Sequence, residues 1–63
     1  MKEIKRPEIG DRVQDKRGNV GTVIARLKPG YHNIDVEYDN GGRGYHCLIR
    51  GCIRYDPLFE VEE

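Results

Sequence analysis

The sequence contains no tryptophan, one phenylalanine and one methionine, and it has no long apolar run. Because a helix needs roughly 20 apolar residues to cross a bilayer, we predict no membrane-spanning helix. The 63 residues make one domain, and a domain of about this length buries only about 60% of the surface that its unfolded chain exposes. So small a core leaves little room for an interior catalytic pocket. We therefore expect any ligand to bind at the surface, in a groove or between loops.

Motifs for catalysis and for targeting are also missing. The sequence has no serine elbow, no phosphate-binding loop and no obvious nucleophile–base pair, and the adjacency of His46 and Cys47 does not make one. We predict a protein that is not an enzyme and uses no cofactor. The first seven residues are charged and are followed by no apolar stretch. We expect no secretory signal and a cytoplasmic protein.

Metal-ligating residues are few. Neighbouring residues on a strand point to opposite faces, so His46 and Cys47 are poorly placed to bind one ion. Cys47 and Cys52 are spaced more widely than the pair of a usual zinc knuckle, and neither a second pair nor His32 completes a site. The sequence predicts free thiols and no metal.

Charge is balanced overall but divided unevenly along the chain. Residues 1–28 hold eight basic and four acidic side chains, a net charge of +4, whereas residues 29–63 hold three basic and seven acidic ones, a net charge of −4. Such a division can orient a protein on a charged partner. Alternatively, the two halves neutralise each other in the folded protein.

Alternating apolar and polar residues, separated by turn signals, predict five short strands. We place them at 10–15, 20–27, 34–39, 43–49 and 58–61, after a flexible arm over residues 1–8. The stretch Asp39-Asn40-Gly41-Gly42 predicts a tight hairpin turn, because Asn and Gly tolerate positive φ. Residues 50–53 are long enough for a single 3₁₀ turn only.

Five strands in so short a chain favour a small, strongly bent barrel, which buries the apolar faces and removes most exposed edges. The predicted core contains ten residues. They are Val13, Val20, Val23, Ala25, Ile34, Val36, Leu48, Ile49, Phe59 and Val61.

Three stretches of the sequence resemble a known fold family. GDRVQDKRGNVGTVIAR (10–26) resembles the opening of an SH3-like barrel of the KOW and Tudor kind, with Gly-Asp-x-Val, a Gly-x-x-Gly turn and then Thr-Val. IDVEYDNGGRGY (34–45) resembles the strand–turn–strand of Tudor-like and Mib/Herc2-like domains, and YDPL (55–58) lies where those domains often carry Tyr-Asp-Leu. The resemblance implies an all-β, five-stranded SH3-like barrel over residues 9–63. SH3-like barrels have many unrelated functions, so the fold implies no particular one.

Tyrosines near the hairpin form the first candidate site. In a Tudor-like barrel, Tyr38 and Tyr45 flank the hairpin and can join Tyr55 or Tyr31 in a cage with an acidic rim at Asp39, which attracts a cationic side chain. Without tryptophan, the strongest cation–π ring, such a cage is weak. Alternatively, the Tyr38 ring packs on the core with its hydroxyl at the surface.

Basic residues form the second candidate site. They come from the first two predicted strands and the turn between them, and they can contact phosphates along one edge, as in a KOW-like module. Zero net charge and the acidic residues of the adjacent strand oppose this hypothesis, and solvated surface charge is the alternative. The residues are Arg12, Lys16, Arg17, Arg26 and Lys28.

The sequence thus favours a small binding module that docks on a partner protein as a regulator or an accessory subunit. The alternative is a KOW-like nucleic-acid-associated module. We expect the acidic row of Asp35, Glu37 and Asp39 to steer a basic partner, and we expect neither a membrane nor a small-molecule substrate. The predicted partner-binding residues are Tyr31, Tyr38, Asp39, Arg43, Tyr45 and Tyr55.

Overall fold

Six short β-strands make up the secondary structure in a computed structural model of the chain, which describes residues 2–26 and 33–62. Every strand pair is antiparallel, the order across the sheet is β1-β6-β2-β3-β4-β5, and the sheet curls into a half-barrel around one apolar core. Helix is absent from the described residues, so none of them belongs to a segment that could span a bilayer as a helix. The strands are β1 (Glu3–Ile4), β2 (Arg12–Asp15), β3 (Val20–Arg26), β4 (Asn33–Tyr38), β5 (Arg43–Cys47) and β6 (Leu58–Glu60).

The all-β prediction is confirmed, but the predicted count of five strands is wrong. Strands β2 to β6 correspond to the five predicted ones, and β1 comes from the segment 1–8 that the sequence predicts as an arm. Glu3 of β1 pairs with Phe59, and Ile4 pairs with Leu58. Ile4 packs against the core and Pro7 is fully buried. Removing these apolar groups from water favours the addition of this segment to the sheet.

The predicted 3₁₀ turn before the last strand is absent from the described residues. The chain makes two successive turns instead, in which Cys52 N donates to Ile49 O at 2.9 Å and Tyr55 N donates to Cys52 O at 3.1 Å. A 3₁₀-helix repeats its i→i+3 hydrogen bond at consecutive residues. Here the second bond begins at Cys52, where the first one ends, so the two bonds are not at consecutive residues. The segment therefore turns twice without forming a helix.

Glycines make the two turns at one end of the sheet. Gly18, between β2 and β3, and Gly41, between β4 and β5, both have φ of +94°, a conformation that glycine adopts without steric cost. Gly21 has a different role in β3, since a Cβ there would lie 2.6 Å from Glu37 O of β4. Because β3 and β4 run antiparallel, the two glycine turns lie at the same end of the sheet. That end holds the candidate site.

Most of the predicted core residues are buried or half-buried. Val20, Ala25, Phe59 and Val61 are half-buried. The side chains that form the central apolar cluster are Val13, Val23, Ile34, Val36, Leu48 and Leu58.

Two details of the predicted core are wrong. Ile49 is 41% exposed, because β5 ends at Cys47 and the chain turns at Ile49 instead of continuing the alternation. Leu58 is fully buried although the sequence does not single it out. It pairs with Asp15, which also faces inward, so Leu58 rather than Phe59 is the inward residue of β6.

Two isoleucines provide a matched test of the core. Ile34 is 1% exposed and Ile53 is 103% exposed. We expect Ile34→Ala to lower the free energy of unfolding by about 2–5 kcal/mol, because it removes buried methylenes and leaves a cavity. Ile53→Ala should change it by less than about 0.5 kcal/mol. Urea denaturation followed by circular dichroism measures both, and equal losses would contradict the assigned core.

Candidate functional site: a polar cleft at one end of the sheet

A cleft of about 210 Å³ lies at the end of the sheet that carries the two glycine turns, and its wall includes Asp15, Tyr38 and His46. Side chains of a strand alternate between its two faces. Asp15 therefore shares a face with the buried Val13, and Tyr38 shares one with the buried Val36. Polar side chains thus cap the apolar core at this end.

His46 is the most deeply buried polar residue of the cleft, at 2% exposure. Its Nε2 lies 2.5 Å from the hydroxyl of Tyr38, and the two rings meet edge to face with centroids 6.0 Å apart. Asp56 Oδ2 lies 2.8 Å from Nδ1, close but not aligned as a hydrogen bond. A carboxylate at Nδ1 favours the tautomer that carries its proton there. We therefore assign Nε2 as the acceptor of the Tyr38 hydroxyl proton.

Asp15 organises the β2–β3 turn at the edge of the cleft. Its Oδ1 accepts hydrogen bonds from the backbone N–H groups of Arg17 at 2.8 Å and Asn19 at 2.9 Å, and its Oδ2 accepts one from Asn19 Nδ2 at 3.2 Å. Burial raises the pKa of Asp15, but the hydrogen bonds from Asn19 and Arg17 outweigh it and hold the pKa below its usual value. The ionised carboxylate fixes the turn that carries Lys16.

Tyr38 is held in its neutral form. Burial, together with the negative charges of Asp15 and Asp56, raises the pKa of Tyr38 to about 12. A phenol that stays protonated at neutral pH donates hydrogen bonds well and is a poor nucleophile. The chain Asp56–His46–Tyr38 therefore suits the positioning of a hydroxyl group better than covalent catalysis.

Gly44 makes room for the Tyr38 ring. A Cβ at this position would lie 2.6 Å from Tyr38 Cε2, 3.0 Å from its hydroxyl oxygen and 3.0 Å from His46 Nε2. Any larger residue must displace the ring from the histidine. The contact between Tyr38 of β4 and His46 of β5 thus requires a residue without a side chain at position 44.

Exposed side chains surround the cleft. Lys16 and Arg17 come from the β2–β3 turn, and Arg43 and Tyr45 come from β5. Tyr45 is 52% exposed. The cleft therefore brings together three predicted partner-binding residues (Tyr38, Arg43 and Tyr45) and two predicted nucleic-acid-binding residues (Lys16 and Arg17).

Arg12 and Asp39, which the sequence assigns to different candidate sites, bind each other. The guanidinium contacts both carboxylate oxygens, at 2.9 and 2.6 Å, and also donates to Thr22 Oγ1 at 2.8 Å. The hydrogen bond from Arg12 holds the pKa of Asp39 below its usual value. The acidic row predicted to steer a basic partner is therefore partly neutralised. Arg26 is exposed at the end of β3, and Tyr31 and Lys28 lie outside the described residues.

Tyr55 contacts Glu3 and Arg50 rather than the other described tyrosines. Its hydroxyl donates to Glu3 Oε1, which raises the pKa of Tyr55, and the guanidinium of Arg50 lies 5.6 Å from the ring centroid. Arg50 also bonds Glu3 Oε2 at 2.8 Å. These contacts connect the segment after β5 to β1. Among the described residues, no ring contact joins Tyr38, Tyr45 and Tyr55 into the predicted cage.

The two cysteines are free and lie in contact with each other. The Cys47 thiol donates a hydrogen bond to Cys52, and that bond and burial raise the pKa of Cys47. The same bond lowers the pKa of Cys52, helped by the N–H of Arg54. No group of three or more potential metal ligands occurs within residues 2–26 and 33–62.

A second cavity, of about 290 Å³, lies beside β1 and is lined by Glu3, Lys5, Leu48, Ile49 and Arg50. Its Glu3 and Arg50 form an ion pair with each other. The polar cleft is the stronger candidate site because it contains a buried histidine and a tyrosine with a strongly raised pKa.

Strand β5 is an outer strand of the sheet. Tyr38 N donates to Gly42 O at 2.7 Å, so in an antiparallel ladder Gly44 and His46 also turn their backbone groups towards β4. The backbone groups of Arg43 and Tyr45 consequently point away from β4. No described strand pairs with these two residues on that side, since the neighbouring bridge begins only at Cys47.

Comparison with known proteins gives no match to a protein-family model, a curated protein or a solved structure. The interpretation of the cleft therefore depends on its own geometry.

Sequence reasoning does not assign Asp15 or Asp56 to a site, and it does not predict that His46 is buried. For Asp15 the signal is present, since it lies two residues after Val13 on a predicted strand and must share its inward face. His46 attracts attention only as a metal ligand. Asp56 belongs to the YDPL stretch, but that stretch does not indicate a contact with His46, because Asp56 lies outside any strand and reaches His46 through the tertiary fold.

The Tyr38 contact can be tested by substituting Gly44. A raised pKa means that the neutral phenol is favoured in the folded state, so this contribution to stability is complete below pH 10 and is lost as the pH rises towards 12. We expect Gly44→Ala to move the pKa of Tyr38 down towards 10. Alkaline titration of tyrosinate absorbance, with Tyr38→Phe to identify the transition, measures it.

Gly51→Ala is the matched control, because a Cβ there would meet nothing within 4 Å. It should leave the titration unchanged. A Tyr38 transition that is the same in wild type and Gly44→Ala would contradict the proposed contact.

The hydrogen bonds of Asp15 predict that the free energy of unfolding depends on pH in the acidic range. Because its folded pKa is lowered, the contribution of Asp15 is present above the pKa of an unfolded Asp and is lost as the pH falls through the folded pKa. Asp15→Asn should cost about 1–3 kcal/mol at neutral pH, since the amide loses the negative charge and cannot accept from Asn19 Nδ2 as Oδ2 does. It should also make the decline in stability below pH 4 shallower. Urea midpoints across this pH range measure both effects, and parallel curves would refute the assignment.

Proposed function

We propose that this chain is a small non-enzymatic binding module that docks on a partner protein, as a regulator or an accessory subunit. The outer edge of β5 is the observation that carries the proposal. Arg43 and Tyr45 present unpaired backbone donors and acceptors beside a half-exposed tyrosine ring. An extended peptide can pair with such an edge by adding a strand, and side-chain pockets next to the edge supply specificity.

The docking surface in this proposal consists of the β5 edge and the adjoining cleft. Tyr45 supplies a large, rigid contact area at low cost in conformational entropy. Tyr38 supplies a neutral hydroxyl whose direction is fixed by His46.

The fold to which we assign this module is an SH3-like barrel of the KOW and Tudor kind. The assignment is supported by the curled antiparallel sheet and by the succession of hairpins from β2 to β5. The sixth strand, β1, is an addition at the edge of that arrangement. The resemblance in sequence covers β2 to β6.

Photo-crosslinking in cells of the source organism tests the docking proposal. We expect a photoreactive phenylalanine derivative in place of Tyr45 to give a discrete adduct that protease digests and nuclease does not. The same derivative at Ile9, which is 64% exposed and precedes β2 at the other end of the sheet, should give none. A nuclease-sensitive adduct at position 45, or equal labelling from both positions, would contradict the proposal.

Nucleic-acid contact is the second candidate function, and the cluster of Lys16, Arg17 and Arg43 around the cleft favours it. Phosphate contacts release counterions, so the logarithm of the affinity falls with the logarithm of salt concentration in proportion to their number. We expect weak binding to mixed DNA and RNA and a shallow salt slope. A slope equivalent to several counterions, abolished by Lys16→Glu with Arg17→Glu, would establish this second function instead.

A further inference from the structure

The carboxylates of the cleft are engaged within the protein. Asp15 accepts three hydrogen bonds from its own turn, and Asp56 lies against His46. Neither carboxylate is directed to a cation at the edge of the cleft. Both carboxylates of the cleft therefore contact groups of the protein itself.

The cations of the cleft have no such counterion. Within residues 2–26 and 33–62, no carboxylate lies within ion-pair distance of Lys16, Arg17 or Arg43. All three side chains are exposed and border the same cleft. Two elements, the β2–β3 turn and β5, therefore present positive charge to one place.

The unpaired edge of β5 favours an acidic peptide over a nucleic acid. Arg43 and Tyr45 offer backbone donors and acceptors that an extended peptide can pair with as a strand, whereas a nucleic acid has no matching series of donors and acceptors. On the outer face, Glu37 lies opposite Arg43 and Asp35 lies opposite Tyr45 in the register. A long polyanion that crosses β5 onto β4 would meet these carboxylates directly, whereas a short peptide along the outer edge of β5 is separated from β4 by the width of β5.

We propose that the cleft and the β5 edge together bind an acidic, extended segment of a partner protein, whose carboxylates contact Lys16, Arg17 and Arg43. The inference rests on the proposed docking function and adds the chemistry of the partner. Since side chains of an extended segment alternate, acidic residues at every second position can all face the cations.

Two short synthetic peptides test the inference with the full chain at low salt. One alternates Thr and Glu, and the other alternates Thr and Gln. We expect fluorescence anisotropy to show that the acidic peptide binds about tenfold more tightly. Amide chemical shifts should place the acidic peptide on Arg43 and Tyr45. Lys16→Gln with Arg17→Gln, or Arg43→Gln alone, should remove most of the difference.

Arg54→Gln is the matched control, because Arg54 is exposed but does not border the cleft. It should leave the affinity for the acidic peptide unchanged. Equal binding of both peptides at β5, insensitive to the cleft variants, would overturn the inference and leave the docking function standing. An oligothymidylate that binds more tightly than the acidic peptide, through the same cations, would overturn both. Inorganic phosphate that displaces the peptide at equal concentration would overturn the inference by reducing the cleft to a simple ion site.

Discussion

A polar side chain at an inward-facing strand position must find hydrogen-bonding partners inside the protein, and three such positions meet at one end of this sheet. Asp15 follows Val13 in β2, and Tyr38 follows Val36 in β4. His46 lies opposite Ile34 on the inward face of β5. Each would cost several kcal/mol if it were buried without a partner. They are accommodated because Asp15 bonds its own turn and Tyr38 meets His46 beside Asp56.

This arrangement determines the character of the cleft. Since Asp15 bonds its own turn and Asp56 lies against His46, the exposed cations dominate the rim of the cleft. Since Gly44 lacks a side chain, the Tyr38 ring lies across β5 and reaches His46. A buried network therefore shapes the surface that a ligand would meet. The cleft borders an open strand edge because β5 is the last strand in the order of the sheet.

The sequence predicts much of the fold because local signals dominate it. Glycines at 18 and 41 make the turns that their positions indicate, and strict alternation from Ile34 to Tyr38 predicts β4 correctly. Strand β1 is not predictable in this way, since Glu3–Ile4 has no periodicity and is stabilised by tertiary contacts, namely pairing with β6 and packing of Ile4 on the core. Ile49 is mispredicted because the end of β5 depends on where the chain turns, which apolar pattern alone does not indicate.

The candidate site is predictable only in part. Tyr38, Arg43 and Tyr45 are near the hairpin in sequence, so their proximity follows from the turn itself. The contribution of Lys16 and Arg17 to the same cleft requires knowledge of how β2 and β5 curl towards each other. The pairing of Arg12 with Asp39, separated by 27 residues, is likewise a property of the tertiary fold.

The hydrogen bond between Tyr38 and His46 is the contact on which the cleft depends, and solution NMR observes it directly. A ¹⁵N spectrum of the imidazole ring should show one tautomer, protonated at Nδ1, with Nε2 as acceptor and a slowly exchanging Tyr38 hydroxyl proton close to it. Averaged tautomers with a hydroxyl proton that exchanges freely with water would contradict the account.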